Sequence, residues 1–331
     1  MENKVRMADI AERLGISVVS VSKALSGKDG VSDQMREKIR STAAEMGYTP
    51  LRIRTVRREK PKGGTIGILV PDRYFDDNTF YAGLYRQVSL QCNQHGYAAM
   101  LEIVTADAER NRSMPAMVQS HKVDGLIFLG EVWREYVKNV TSTGLPYVLL
   151  DFYDEQLPAT SVTSDNISGG YHLANHLLAC GYRDIGFVGS IHATSSIMDR
   201  FLGYAKALLM AGIAIRMDWV LEDRDENGNF ETIDMPQAMP RAFLCSCDEV
   251  AHNLIKQLKS AGYTIPQDIA IVGYDDFQIA QLSDPPLTTY RVNTEAMSSI
   301  CVEKLVSALN GKPQMISNTV VKGRFVLRHS T

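Results

Sequence analysis

Nowhere in the 331 residues do eighteen apolar side chains run together, so no segment reads as a helix that crosses a bilayer. Cysteine is sparse. The five present (Cys92, Cys180, Cys245, Cys247 and Cys301) are scattered, odd in number and without Cys-x-x-Cys spacing. That pattern argues against a disulfide framework and a zinc ribbon, and predicts small buried hydrophobes. Common catalytic signatures are missing too: there is no Gly-x-Ser-x-Gly elbow, no phosphate-cradling P-loop and no Gly-x-Gly-x-x-Gly. His172-x-x-x-His176 would put two imidazoles on one helix face, but with no Glu between them and no third ligand it reads as a helix-boundary pair. The chain is therefore expected to be no enzyme and to need no metal or cofactor. Met1–Arg6 leads into an amphipathic segment instead of an apolar one with a small-residue cleavage site, which predicts a cytoplasmic protein with no membrane partner.

What is present, 45% hydrophobic and 22% charged residues, suits two or three globular domains. The net charge of -3 hides a split. Residues 1–62 carry fourteen Lys and Arg against eight Asp and Glu, which leaves twenty-one against thirty for residues 63–331. A basic module joined to an acidic body is the electrostatic footprint of a nucleic-acid-binding head on a domain that avoids nucleic acid.

The head shows why. Met7–Leu14 places Ile10, Ala11 and Leu14 on one helical face. Gly15 can take the left-handed turn conformation and Ser17 can cap a second helix, in which Val18, Val21 and Leu25 recur on the apolar side. Gly27–Gly30 interrupts that helix, Ser32 caps a third with Met35, Ile39, Ala43 and Met46 at helical spacing, and Gly47 ends it. Two short helices around such a turn are a helix-turn-helix, and three can bury one another while the second stays free to enter a major groove. Residues 51–62 then carry six basic residues against one Glu before Gly63-Gly64, as a connector does.

From Thr65 onward, short apolar strands alternate with helical segments, and after Ser161 the alternation restarts. The helical segments include Ala108–Ser120, Gly169–Cys180 and Asp199–Ala211. Alternation on this scale predicts parallel sheets wrapped by helices in two lobes. Ligands bind beyond the carboxyl ends of strands in such sheets, which makes Asp151, Ser190, Cys247-Asp248 and Asp275-Asp276 site candidates.

The run from Ala8 to Pro50 resembles the head of the LacI/GalR family of repressors, with its Ile-Ala, Gly-x-Ser, Val-Ser, Leu-x-Gly and Gly-Tyr-x-Pro elements. The segments VDGLI, LPYVLLD, LLACGYRDIGFVGS, DRFLGY, IPQDIAIVGYDD and DPPLTTYRVN are similar to the periplasmic-binding-protein-like core of the same family. The likeness covers nearly the whole chain. It implies an α/β fold with a three-helix DNA-binding head at 1–50, a basic hinge at 51–63 and a two-lobed effector-binding core at 64–331. Lobe 1 would hold about 64–162 and 292–318, lobe 2 about 163–291 and 319–331.

The resemblance also assigns roles. Val18, Val19 and Lys23 fall where the family reads base edges; valines offer thymine methyls only apolar contact, and Lys23 meets guanine as a point charge. Ser17, Ser20 and Ser22, with Arg36 and Lys38, would contact phosphates and set register. Arg54 and Arg57 replace the Ala and Leu of the family's minor-groove hinge pattern, and arginine suits a narrow minor groove. Phe80, Asp151, Ser196, Arg200, Asp248 and Asp275 would form the effector site, Arg and Asp forks suiting vicinal hydroxyls and Phe a sugar's apolar face. Three departures stand out: Cys247-Asp248 where the family often has Asn-Asp, Leu129 where some sugar-binding members are polar, and residues 222–241 reading as loop or strand instead of a helix.

The expected function is a transcriptional regulator, a repressor of carbohydrate utilisation genes, that binds double-stranded operator DNA as a homodimer under allosteric control by a small sugar-like effector. Control of the same regulator by a protein corepressor or a non-sugar metabolite is the alternative. A transport-type sugar-binding protein is disfavoured by the head. Because each phosphate neutralised steepens the slope of log affinity against log salt by about 0.9, replacing Arg54, Arg57 and Arg58 with Ala should flatten that slope by about two or more. Operator titrations across salt concentrations measure it, and an unchanged slope would show that the linker does not reach DNA.

Overall fold

A computed structural model describes residue 5 and residues 7–26, 31–46, 63–74, 79–225, 228–313 and 316–331. The chain divides into two compact units, Met1–Pro61 and Lys62–Thr331. The expectations for Gly27–Gly30, Gly47 and the linker with Arg54 and Arg57 lie outside the described residues.

The first unit holds α1 (Met7–Leu14), α2 (Val18–Ser26) and α3 (Asp33–Glu45). Ile10, Ala11, Val21, Ala24, Ile39 and Ala43 are its buried centre. Gly15 has φ +64°, the Ser17 hydroxyl accepts from Ser20 N at 3.1 Å, and Ser32 caps α3 by accepting from Met35 N. One inward residue differs from expectation. Val18 is 47% exposed, and α2 buries Val21 and Ala24 instead. At about 100° per residue, Val18 and Leu25 lie on one flank of Val21 and Ala24 on the other. The neighbouring helices cover the Ala24 flank, so burial fades to half at Leu25.

In the second unit the first sheet is parallel, in the order β11 (Asn318–Val321), β5 (Ser161–Ser164), β4 (Tyr147–Leu150), β3 (Gly125–Leu129), β1 (Thr65–Pro71) and β2 (Ala98–Val104). Ile68 of β1 lies opposite Leu101 of β2 and Ile127 of β3. Alternate side chains serve opposite faces. Ile66, Ile68, Ile127, Leu129 and Val148 pack with α4 (Thr79–Gln94) and α12 (Thr294–Leu309), whereas Leu69, Leu126, Phe128 and Leu149 pack with α6 (Ala116–Gln119) and α7 (Arg134–Thr141).

The second sheet is also parallel, ordered β7 (Val220–Leu221), β6 (Ile185–Val188), β8 (Ala242–Cys245) and β9 (Ala270–Val272). It lies between α8 (Asn166–Ala179) with α9 (Ser195–Met210) on one face and α10 (Asp248–Ser260) on the other. The short helix α11 (Gln278–Leu282) follows β9, and β10 (Thr289–Arg291) pairs antiparallel with β12 (Arg324–Val326). Since β11 returns to the first sheet beside β5, the chain passes between the lobes after β5, after β10 and after β11.

The helix expected at Ala108–Ser120 is two: α5 (Ala106–Arg110) and α6, which starts after Pro115. Pro115 has no amide hydrogen and drives Met114 out of the helical region. Conversely, α8 and α9 begin earlier than expected, capped by Asp165 and Thr194. Gly169-Gly170 is no breaker. A Cβ at Gly170 would lie 2.2 Å from the Arg200 carbonyl oxygen, and one at Gly203 would lie 2.1 Å from that of Ile167. The two glycines let α8 and α9 touch backbone to backbone, which fixes the height of Arg200. Between Glu222 and Arg241 the described residues contain no helix; Arg224 and Phe230 form an antiparallel bridge, and Gln257 of α10 bonds both the amide and carbonyl of Ile233.

Gly170→Ala or Gly203→Ala must push these helices apart, so each should cost about 1–3 kcal/mol, the usual range for overpacking. Urea titrations of each variant measure it, and unchanged midpoints would show that the crossing is loose.

Candidate functional site

The cleft between the lobes is built from strand ends. Arg73 and Tyr74 follow β1, Glu131 follows β3 and Asp151 follows β4; facing them, Ser190 follows β6, Arg224 follows β7, Cys247 follows β8 and Asp275 follows β9. All strands of both sheets run parallel, so every one of these ends opens on the same space.

Its inner part, about 50 Å³, is lined by Phe80, Asp151, Ser196, Arg200 and Asp275, five of the six residues expected for the effector. Arg200 organises them. Its Nε donates to Asn166 Oδ1 at 2.9 Å, its Nη1 donates to the Ser246 carbonyl at 2.6 Å, and its guanidinium lies 3.9 Å from the centroid of the Tyr274 ring. Nη2 approaches Asp275 Oδ1 at 3.5 Å, close enough for ion pairing but without hydrogen-bond geometry. On the opposite lobe Tyr81 OH donates to Asp151 Oδ2 at 3.0 Å. Asp151 Oδ1 and Asp275 Oδ1 are buried without a hydrogen-bond partner. Both aspartates have left-handed backbones, φ +69° and +110°, a strain that concentrates at functional sites.

Burial pushes the Asp151 carboxyl up to about 6 despite the Arg200 charge and the Tyr81 hydrogen bond. Burial raises the Asp275 carboxyl too; Arg200 opposes this and the Asp151 charge adds to it. Phe80 closes the floor, edge-on to Tyr81 and to Phe277 of the other lobe at 5.1 and 5.6 Å. Ser196 stands in the first turn of α9 with its hydroxyl 3.0 Å from that of Thr194.

Asp248 is placed elsewhere. It does not line the cavity, because its carboxylate is occupied by Thr289 Oγ1 at 2.6 Å and the Phe277 amide at 3.0 Å. It pins the segment carrying Asp275. Asp276 likewise is held by Arg291 and Arg328. Leu129 is fully buried in the core. His172 stacks on Tyr290 and His176 Nε2 meets Thr331 Oγ1 at 2.9 Å; among the described residues no cluster of His, Cys, Asp or Glu is arranged to hold a metal. Tyr81, which also lines the cavity, escaped sequence reasoning, as did the supports Asn166 and Tyr274, which act through Arg200. Arg224 could have been found by the strand-end rule applied to the two-residue β7.

In the head, Ser17, Val18, Val19, Ser22 and Lys23 are exposed on one side of α2, with Ser20 half-buried behind them. Val19 is 63% exposed, a cost in apolar surface that the helix bundle itself does not require. Arg36 donates to the Ala24 carbonyl at 3.4 Å, at the end of α2, and Lys38 is exposed.

Residues 6–50 match the model of bacterial regulatory proteins of the lacI family, and residues 174–331 match a periplasmic binding protein-like domain. The ribose operon repressor of Haemophilus influenzae is 29% identical over 329 residues, covering 98% of each chain. Two solved structures share the fold: a transcriptional regulator CelR-cellobiose complex (TM-score 0.71, 23% identity, 99% and 100% of the chains) and a lac repressor dimer bound to operator (TM-score 0.66, 22% identity, 99% of each). A three-helix head joined to a two-lobed, cleft-bearing core defines an effector-controlled DNA-binding regulator, not an enzyme. The chain belongs to the lacI family of bacterial regulatory proteins. No helix among its described residues is long and apolar enough to cross a membrane.

A ligand that donates hydrogen bonds to Asp151 and Asp275 favours their charged forms and lowers both pKa values. Binding should therefore release protons, and affinity should rise as pH rises through about 6. Calorimetry in buffers of different ionisation enthalpy reads the proton release; uptake instead of release would exclude direct donation to these carboxylates.

Proposed function

We propose that this protein is a cytoplasmic homodimeric repressor of carbohydrate utilisation genes, its operator read by α2 and its affinity set by a sugar held between the lobes. On this reading residues 1–50 are the head, 51–63 the hinge and 64–331 the core. Ser17, Val18, Val19, Ser20, Ser22 and Lys23, with Arg54 and Arg57, contact DNA.

The observation that carries the sugar is the pair of buried carboxylate oxygens without donors, Asp151 Oδ1 and Asp275 Oδ1, on either side of one buried guanidinium. Such a site leaves acceptors to be filled by hydroxyl hydrogens, while Arg200 offers donors to hydroxyl oxygens. A polyol meets both demands with the same groups. Phe80 supplies an apolar surface for ring carbons. A ribose operon repressor among the relatives and a cellobiose complex among the fold neighbours accord with this chemistry.

A thermal-shift screen against sugars and sugar phosphates tests it, since a ligand at a hundred times its dissociation constant stabilises by about 2.7 kcal/mol. Arg200→Ala and Asp275→Ala should each abolish the effector response and leave operator affinity within several-fold. A variant that still responds normally would make that residue structural, and silence across the whole panel would overturn the sugar reading.

A further inference from the structure

The inner cavity is the narrow part of a larger cleft. At ~10–15 Å³ for each water, about 50 Å³ admits roughly three to five waters, on the order of the space that one small ring displaces. Arg200 and the two aspartates therefore have room for one ring. Anything larger extends past Arg73, Tyr74 and Arg224, which border both spaces, into an outer chamber of about 630 Å³.

That chamber has a constructed aromatic wall. Trp133 lines it at 48% exposure, and its indole has no hydrogen-bond or ring partner among the described residues. An indole half-open inside a cleft presents a flat apolar face that a ring can cover. Its backbone, by contrast, is fixed: the amide of Trp133 donates at 3.0 Å to Glu109 Oε1, while Glu109 Oε2 accepts from Arg73. Glu109 is only 1% exposed although it belongs to a five-residue surface helix. A buried carboxylate that ties a half-open tryptophan to an arginine at the inner mouth sets the distance between the two compartments. Hydrogen-bonding groups line the same chamber, among them His192 and the ion-paired Arg134 and Asp154. A flat apolar face in a chamber lined by donors and acceptors of both signs matches a second sugar ring better than a lone phosphate, which would meet as many carboxylates as guanidiniums here.

We infer that the effector is a two-ring saccharide, a disaccharide or a glycoside with a cyclic aglycone, whose first ring is held by Asp151, Arg200 and Asp275 and whose second ring stacks on Trp133. This rests on the sugar reading given above and specifies the ligand class for the same cleft.

The chain carries its own reporter. Its two tryptophans are Trp133 and Trp219. Trp219 is 5% exposed, with its indole nitrogen donating to the Ala238 carbonyl at 2.7 Å. Only Trp133 can respond to a ligand in the chamber. The full-length protein is titrated with free hexoses and pentoses and with β- and α-linked disaccharides and aryl glycosides, following tryptophan emission and calorimetric affinity together. The expected result is a two-ring ligand that binds at least tenfold tighter than its constituent monosaccharide and shifts the emission to the blue. Trp133→Ala should remove that advantage and the spectral change, Trp133→Phe should restore much of the affinity, and both should leave monosaccharide binding within about twofold. A monosaccharide that binds as tightly as any two-ring ligand, with unchanged emission, overturns the second subsite and leaves the sugar reading standing. If no saccharide binds, both fall.

Discussion

The core depends on one buried guanidinium. Arg200 is 5% exposed, and the enclosing lobe satisfies it from three directions: the Asn166 side chain, the Ser246 carbonyl and the Tyr274 ring. A charge placed this deep is tolerated only where partners replace its lost hydration. The backbone is shaped to supply them, because Gly170 and Gly203 let α9 lie against α8 and Asp248 pins the turn bearing Asp275. What remains unsatisfied is on the acid side. Arg200 and Asp275 lie 3.5 Å apart without a hydrogen bond, and each aspartate keeps a buried oxygen with no donor. The protein directs its hydrogen-bonding partners to the cation and leaves one buried oxygen of each anion open.

The same arrangement explains how a ligand could favour one set of lobe positions. Few polar bonds cross the cleft directly: Ser195 donates to Glu131 through its amide and hydroxyl at 2.6 and 2.9 Å, and Tyr153 OH donates to Asp199 at 3.1 Å. Burial raises the Glu131 carboxyl above its ordinary range even though Ser195 hydrogen-bonds it, so this contact holds the lobes with an anion that the site itself makes costly. Two or three such bonds are worth a few kcal/mol at most. A ligand that donates to Asp151 in lobe 1 and to Asp275 in lobe 2 acts only on the closed arrangement, and a differential of 1–3 kcal/mol is the usual scale of allosteric coupling.

Sequence patterns carried the architecture further than the chemistry. The short apolar runs TIGILV and GLIFL, buried on both faces, and the strand ends at Asp151 and Asp275 were legible because apolar runs between turns and the parallel-sheet rule are local or topological. Helix limits were less so. Gly169-Gly170 and Pro115 look alike as punctuation, yet the glycines make room for packing and the proline is a true stop; only the packing partners, Tyr274 against Gly169 and Arg200 against Gly170, distinguish them. Asp248 shows the opposite failure. It sits where the family resemblance expects a ligand contact, but Thr289, forty-one residues away, claims its carboxylate. No spacing rule reports a partner at that range.

Glu109 follows the same logic and carries it to the outer chamber. By sequence it is one acid in a short, polar helix, indistinguishable from Asp107 two residues before it. In the fold Asp107 forms an exposed pair with Arg110, worth little, whereas Glu109 is taken inside by Arg73 and the Trp133 amide. Burying a carboxylate for two contacts is a poor exchange as stability alone, since desolvation offsets much of the attraction between close charges. Its return is positional. Arg73 also donates to the Glu131 carbonyl at 2.6 Å, and Glu131 in turn receives Ser195 of the facing lobe. One buried acid thus fixes the inner mouth, the half-open tryptophan and the segment that closes the cleft, so a change at any one of the three is felt by the others.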